Sequence, residues 1–234
     1  MSYISRQPRR ARLSNIDFLD RYDYIGIRHL VTQGCIFDQK LLYDRLPNEL
    51  IPFNYDTFFK YSSGFEMVTT NCLTGTPMYL TECRSRQRAL DIVRASSSLP
   101  YVSKITVVDG IPMLDGGIVD SIPVMRAIHT GHERNVVVLT RNKGWRDTSK
   151  DRKVPHFIYK NYPRLRVVLS KRHVSYNDQL QLIDDLESEG SIVCIRPHRP
   201  MEVTRMERDT QKLERLYEEG YQQGEEFIRI YYSK

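Results

Sequence analysis

The chain has 234 residues, 40% of them hydrophobic, and a formal net charge of +6, a size at which one domain buries a substantial core. No apolar run approaches the roughly 20 residues of a membrane-spanning helix, and Met1 to Arg6 lacks the apolar stretch of a signal peptide, so a cytoplasmic protein is expected. Four scattered cysteines (Cys35, Cys72, Cys83, Cys194) with no Cys-x-x-Cys pair argue against a zinc site or disulfide framework and for buried free thiols.

Residues 1–14 carry Arg6, Arg9, Arg10 and Arg12 around Pro8 and read as a frayed, solvated lead-in. From Asn15 to Asn48, Ile16, Leu19, Leu30, Phe37, Leu41, Leu42 and Leu46 recur at helical spacing, which predicts two or three short helices broken at Pro47 and Pro52. The alternating run from Phe65 to Thr70, a turn at Thr74 to Pro77 and the run Met78 to Thr81 predict two strands. Arg86 to Ser98 predicts a helix with Ala89, Leu90, Ile92 and Val93 inward, closed by Pro100. Lys104 to Val108 reads as a strand, Asp109-Gly110 as a hairpin turn, and the residues after it as a second strand. A helix is then expected from Ile122 to about His129, with Ser121 as its cap and Pro123 near its first turn.

Asn135 to Thr140 is a continuous apolar run, of the kind buried on both faces of a parallel sheet. Val154 to Tyr162 predicts a short helix. Val174 to Glu189 predicts a longer one, with Leu180, Ile183 and Leu186 on one face and Gly190 as its stop. Ser191 to Arg196 predicts another buried strand. The last helix, Glu202 to about Ile228, aligns Met206, Leu213, Leu216, Tyr217, Tyr221 and Phe227, with Gly220 and Gly224 allowing close packing. Alternation of strand and helix through the second half argues for an α/β fold with a mainly parallel sheet, read as one domain over 1–234.

Charge is unevenly spread: between Arg141 and His173 stand eleven Lys/Arg and two acids. A solvated loop region explains this run. The alternative is a non-catalytic domain docking on an anionic membrane, at about 1 kcal/mol per cation near the surface, an attraction that salt screens. No aromatic-basic groove or fingerprint points to nucleic acid. His129 and His132 lie near a helix C-terminus, where positive charge is favourable, and no carboxylate motif accompanies them, so neither metal nor cofactor is expected.

The stretch from Val108 to Val124 is the densest in chemistry. Asp115 ends a strand on a Gly116-Gly117 turn, a suitable place for a catalytic base, where glycines let a second backbone or a substrate approach. A plain turn is the other reading, since turns are made of these residues. Asp109, in a hairpin turn, and Asp120, at a helix start, have structural explanations. Leu114-Asp115-Gly116-Gly117 followed by Ile122-Pro123-Val124 resembles the second catalytic motif of patatin-like phospholipases. The run Ala95 to Pro100 resembles the helix end before that motif, and Val68 to Pro77 its preceding strand and turn. In one bacterial branch, Tyr3 to Pro8 resembles the segment just after the helix of the nucleophile elbow, and Ile195 to Asp209 the last strand and helix.

The resemblance implies a three-layer patatin-like α/β fold, a lipid or ester substrate, and a Ser–Asp dyad without histidine. Asp115 is then the proton acceptor, with Gly116 and Gly117 shaping its turn. It also implies a glycine-rich oxyanion loop and a Gly-x-Ser-x-Gly elbow. No Gly-x-Ser-x-Gly, Gly-Gly-Gly or Gly-x-Gly-x-x-Gly occurs in the 234 residues. Ser96, Ser97 and Ser98 read as capping residues at a helix end, and Ser62-Ser63-Gly64 as a loop. The expectation is therefore a C-terminal portion that begins beyond the nucleophile. It lacks the N-terminal strands, is inactive alone, and self-associates through an exposed sheet edge.

Overall fold

The computed structural model describes residues 1–151, 153–204 and 206–232. The helices, in chain order, are α1 (Arg9–Arg12), α2 (Phe18–Arg21), α3 (Ile27–Gln33), α4 (Tyr55–Tyr61), α5 (Arg86–Ser96), α6 (Val124–His129), α7 (Pro163–Ser170), α8 (Arg172–Ser188) and α9 (Thr210–Tyr232). The strands are β1 (Met67–Asn71), β2 (Pro77–Leu80), β3 (Thr106–Val108), β4 (Ile111–Asp115), β5 (Asn135–Val138) and β6 (Ile192–Ile195). Two compact units result, residues 1–121 with 151–172, and residues 122–150 with 173 onward.

The first unit holds a four-stranded sheet in the order β2-β1-β4-β3, and every pairing in it is antiparallel. This corrects the mainly parallel sheet expected from the sequence. The cause is visible at Asp109-Gly110, where φ values of +51° and +78° make a primed two-residue turn that returns the chain antiparallel to itself. Arg88 on α5 locks that turn, reaching the Asp109 carboxylate at 3.0 and 2.7 Å and Glu82 at 3.0 Å. The Arg88 hydrogen bonds hold the Asp109 carboxyl below its usual range.

Ser85 starts α5, its hydroxyl accepting the Arg88 N–H at 3.2 Å. Ala89, Ile92 and Ala95 are fully buried, and Ile92 and Ala95 pack with Met67, Leu80, Val108 and Met113. Successive strand residues face opposite sides of a sheet, so Leu114 points away from Met113. Leu114 packs with Ile118, Cys72, Leu165 and Leu169, the last two from α7. Helix, sheet and helix form three layers, with β4 in the middle one. The expected frayed lead-in departs from this structure too. Ser5 is buried, α1 is helical, and the Arg10 guanidinium lies 5.2 Å from the Phe53 ring and donates to the Ile51 carbonyl. Pro47 sits inside a wide-turned helical segment, Leu41–Leu50, instead of breaking it. A wider turn displaces the carbonyl that a proline ring strikes in a regular helix. The predicted helix over 154–162 is a series of turns, with Tyr159 at φ +53°.

In the second unit β5 and β6 pair in parallel. Val124, Leu139, Ile183 and Ile192 form its core, with Val137 and Cys194 packed against it. Val136 and Val138 are 47% and 72% exposed, so β5 is buried on one face and not on both. Arg196 of the β6 end bonds Asp184 at 3.1 Å and Glu187 at 2.7 Å, while Arg146 and Lys143 reach the same carboxylates at 2.8 and 3.1 Å. Burial alone raises the Asp184 carboxyl, and the hydrogen bonds from Arg146 and Arg196 more than reverse it. α8 stops ahead of Gly190 as predicted. The last helix starts later than predicted, because the Asp209 carboxylate accepts the N–H groups of Gln211 and Lys212 and fixes the start there. Met206 is therefore off the helix, and a Cβ at Gly220 or Gly224 meets nothing within 4 Å, so neither glycine serves close packing.

Candidate active site

Asp115 is the last residue of β4, and hydrogen bonds hold both its backbone and its carboxylate. Its N–H donates to the Ser98 carbonyl at 3.0 Å, and its own carbonyl accepts the Thr70 hydroxyl at 2.7 Å. Its carboxylate accepts the Gly117 N–H at 2.6 Å. The chain then tightens into a short 3₁₀ turn, Gly116–Ile118. A Cβ at Gly116 meets the Val68 carbonyl oxygen at 2.4 Å and its carbon at 2.6 Å. The backbone of β1 occupies the space that any side chain needs. At Gly117 the nearest atom is the Asp115 carboxylate oxygen at 3.0 Å, a group able to rotate aside.

The two glycines therefore differ in kind. Gly116→Ala is expected to lower stability by about 3 kcal/mol, the upper range for overpacking against an unyielding neighbour. Gly117→Ala is expected to cost less. Chemical denaturation of both variants decides the matter: equal losses contradict the close approach of β1.

Other groups complete the turn. Tyr79 on β2 donates its hydroxyl to Asp120 at 2.6 Å. The Gly117 carbonyl accepts two side chains at 2.8 Å each, the Ser121 hydroxyl and the Arg172 Nε–H. Ser121 does not cap α6 as expected; that helix begins after Pro123, and the Ser121 hydroxyl turns back to Gly117. Tyr79 and Arg172 carry no signal in the sequence, because their partners lie 41 and 55 positions away.

Three of the serines weighed from the sequence donate to backbone carbonyls. Ser97 and Ser98 donate to the Val93 and Arg94 carbonyls at 2.8 and 2.7 Å, the back-bonding pattern of a helix end. Ser62 donates to the Phe59 and Glu82 carbonyls. The His132 ring is within 3.2 Å of the Ala127 carbonyl and 3.1 Å of the Thr130 hydroxyl. Burial pushes the Cys72 thiol up to about 12, whereas Cys83 is exposed. Among the described residues no cluster of His, Cys, Asp and Glu is placed to hold a metal ion, and no helix is long and apolar enough to cross a membrane.

Residues 1–128 match the family model for patatin-like phospholipases, a span that includes every residue of the Asp115 turn except Arg172. The chain belongs to the patatin-like phospholipase family. Residues 162–232 of this family member match a second model, a domain of unknown function (DUF6363). A patatin-like chain of this kind is also similar to YjjU of Escherichia coli (strain K12), a protein described as uncharacterised. The two are 27% identical over 207 residues, which is 86% of this chain and 57% of YjjU. The chain thus spans little more than half the length of that relative.

Proposed function

We propose that these residues carry the aspartate half of a patatin-like lipid acyl hydrolase, of phospholipase A or carboxylesterase type. The observation that supports this reading is the Asp115 turn. A carboxylate at a strand end is held by one backbone N–H at 2.6 Å, beside a glycine that the neighbouring strand leaves no room to replace. In the reaction a serine hydroxyl attacks the ester carbonyl while Asp115 takes its proton. Backbone amides hold the oxyanion, and the alcohol leaves with a proton. Water then attacks the acyl-serine, giving a proton to Asp115; the acyl–oxygen bond breaks, the carboxylic acid leaves, and the proton returns to the serine oxygen.

The serine of that dyad is assigned outside the present 234 residues, where no Gly-x-Ser-x-Gly occurs. A fluorophosphonate probe, which loses fluoride as it bonds to an activated serine, tests this on the purified chain. No labelling is expected. A labelled serine whose reaction disappears in Asp115→Ala overturns the assignment and puts a complete dyad within these residues.

A further inference from the structure

Residues 163–172 lie in the segment matched by the domain of unknown function, yet they fold within the same compact unit as the Asp115 turn. Leu165 and Leu169 of α7 pack with Leu114 and Ile118, the apolar residues on either side of Asp115-Gly116-Gly117. Gly75, in the turn between β1 and β2, sits so close to this helix that a Cβ there meets the Arg164 carbonyl oxygen at 3.2 Å. Arg172 comes next, at the first position of α8, and its Nε–H donates to the Gly117 carbonyl at 2.8 Å.

Gly117 is thereby gripped at both ends. Its N–H holds the Asp115 carboxylate and its carbonyl is held by Arg172 and Ser121. A glycine left to itself has the widest choice of backbone angles, and two donors on its carbonyl narrow that choice. The guanidinium and the carboxylate also approach one common point. The point where a Gly117 Cβ would stand is 3.0 Å from an Asp115 oxygen and 3.9 Å from Arg172 Nη2.

We infer that Arg172 is a positioning residue for Asp115, acting through Gly117. On this inference the start of the domain of unknown function braces the carboxylate turn. It rests on the reading of Asp115 as the proton acceptor. It concerns which residues aim that carboxylate, and a measurement without turnover tests it.

The chain holds twelve glycines, so selective ¹⁵N-glycine labelling gives a spectrum simple enough to follow Gly117 on the intact protein. An N–H donating to an ionised carboxylate resonates downfield and moves as that carboxylate protonates. In Arg172→Gln the Gly117 resonance is expected to shift upfield and to lose titration amplitude, with the other eleven glycines reporting that the fold persists. Arg172→Lys keeps a charged donor and is expected to recover part of both. An unchanged Gly117 shift and titration in Arg172→Gln overturns the inference. If that variant does not fold, Arg172→Met takes its place, and an unchanged Gly117 shift and titration there overturns the inference equally. Loss of hydrolysis in Asp115 variants is a separate measurement, so the positioning role and the base assignment fail independently.

Discussion

Asp115→Asn is expected to lower ester hydrolysis by about 10²–10⁴-fold, the usual contribution of a positioned general base. The measurement requires a form of the protein that joins a Gly-x-Ser-x-Gly segment to these residues. Asparagine has the shape of aspartate, and its side-chain oxygen still accepts the Gly117 N–H now found at 2.6 Å from the carboxylate. The Gly117 hydrogen bond is therefore kept while the capacity to take a proton is lost. The loss is expected in kcat, with KM and thermal stability close to wild type, because the interaction removed exists only as the proton moves. Asp120→Asn is the internal control. That carboxylate lies five positions along and accepts the Tyr79 hydroxyl at 2.6 Å, an interaction that an amide oxygen reproduces. Equal losses in the two variants remove Asp115 from the role of base.

The sequence makes local features of this fold legible and leaves the long-range ones dark. Asp109-Gly110 identifies a hairpin because two consecutive positive φ angles demand that composition. Gly190 and the Ala89–Ile92 spacing mark helices for equally local reasons. The sheet direction is misread because the alternation of strand and helix behind it lies in the second half of the chain, whereas the four-stranded sheet is built from the first half. There β3 joins the sheet edge through β4, which is itself the central partner of β1. The apolar run at β5 predicts a strand correctly but not its burial, since a run of valines looks the same with one face covered or two. Only the parallel β5–β6 pair, among the described residues, bears out the parallel expectation.

The site divides in the same way. Asp115, Gly116 and Gly117 are adjacent and are found by motif. The reason for Gly116, the Val68 carbonyl 2.4 Å from its missing Cβ, belongs to a strand more than forty residues earlier. Tyr79 and Arg172 are brought to the turn by the sheet and by α7, and no spacing rule announces them.

Leu165→Ala is expected to lower stability by about 2–5 kcal/mol, the range for truncating a buried leucine that leaves a cavity. Leu165 is fully buried and packs with Leu114, Ile118 and Cys72. Its helix lies beyond residue 128, where the patatin-like match ends, and inside the second match. The sheet face that carries Leu114 therefore depends on residues that sequence similarity assigns elsewhere. Val167→Ala separates burial from any general effect on α7. Val167 is 58% exposed on the same helix, and surface substitutions of this sort stay within about 0.5 kcal/mol. Denaturant midpoints compared at equal m-values measure both. Similar small losses from the two variants make α7 a peripheral attachment. A large loss from Leu165→Ala alone makes it a layer of the patatin-like core, because Leu114 and Ile118 then rely on α7 for the buried leucines that cover their side of β4.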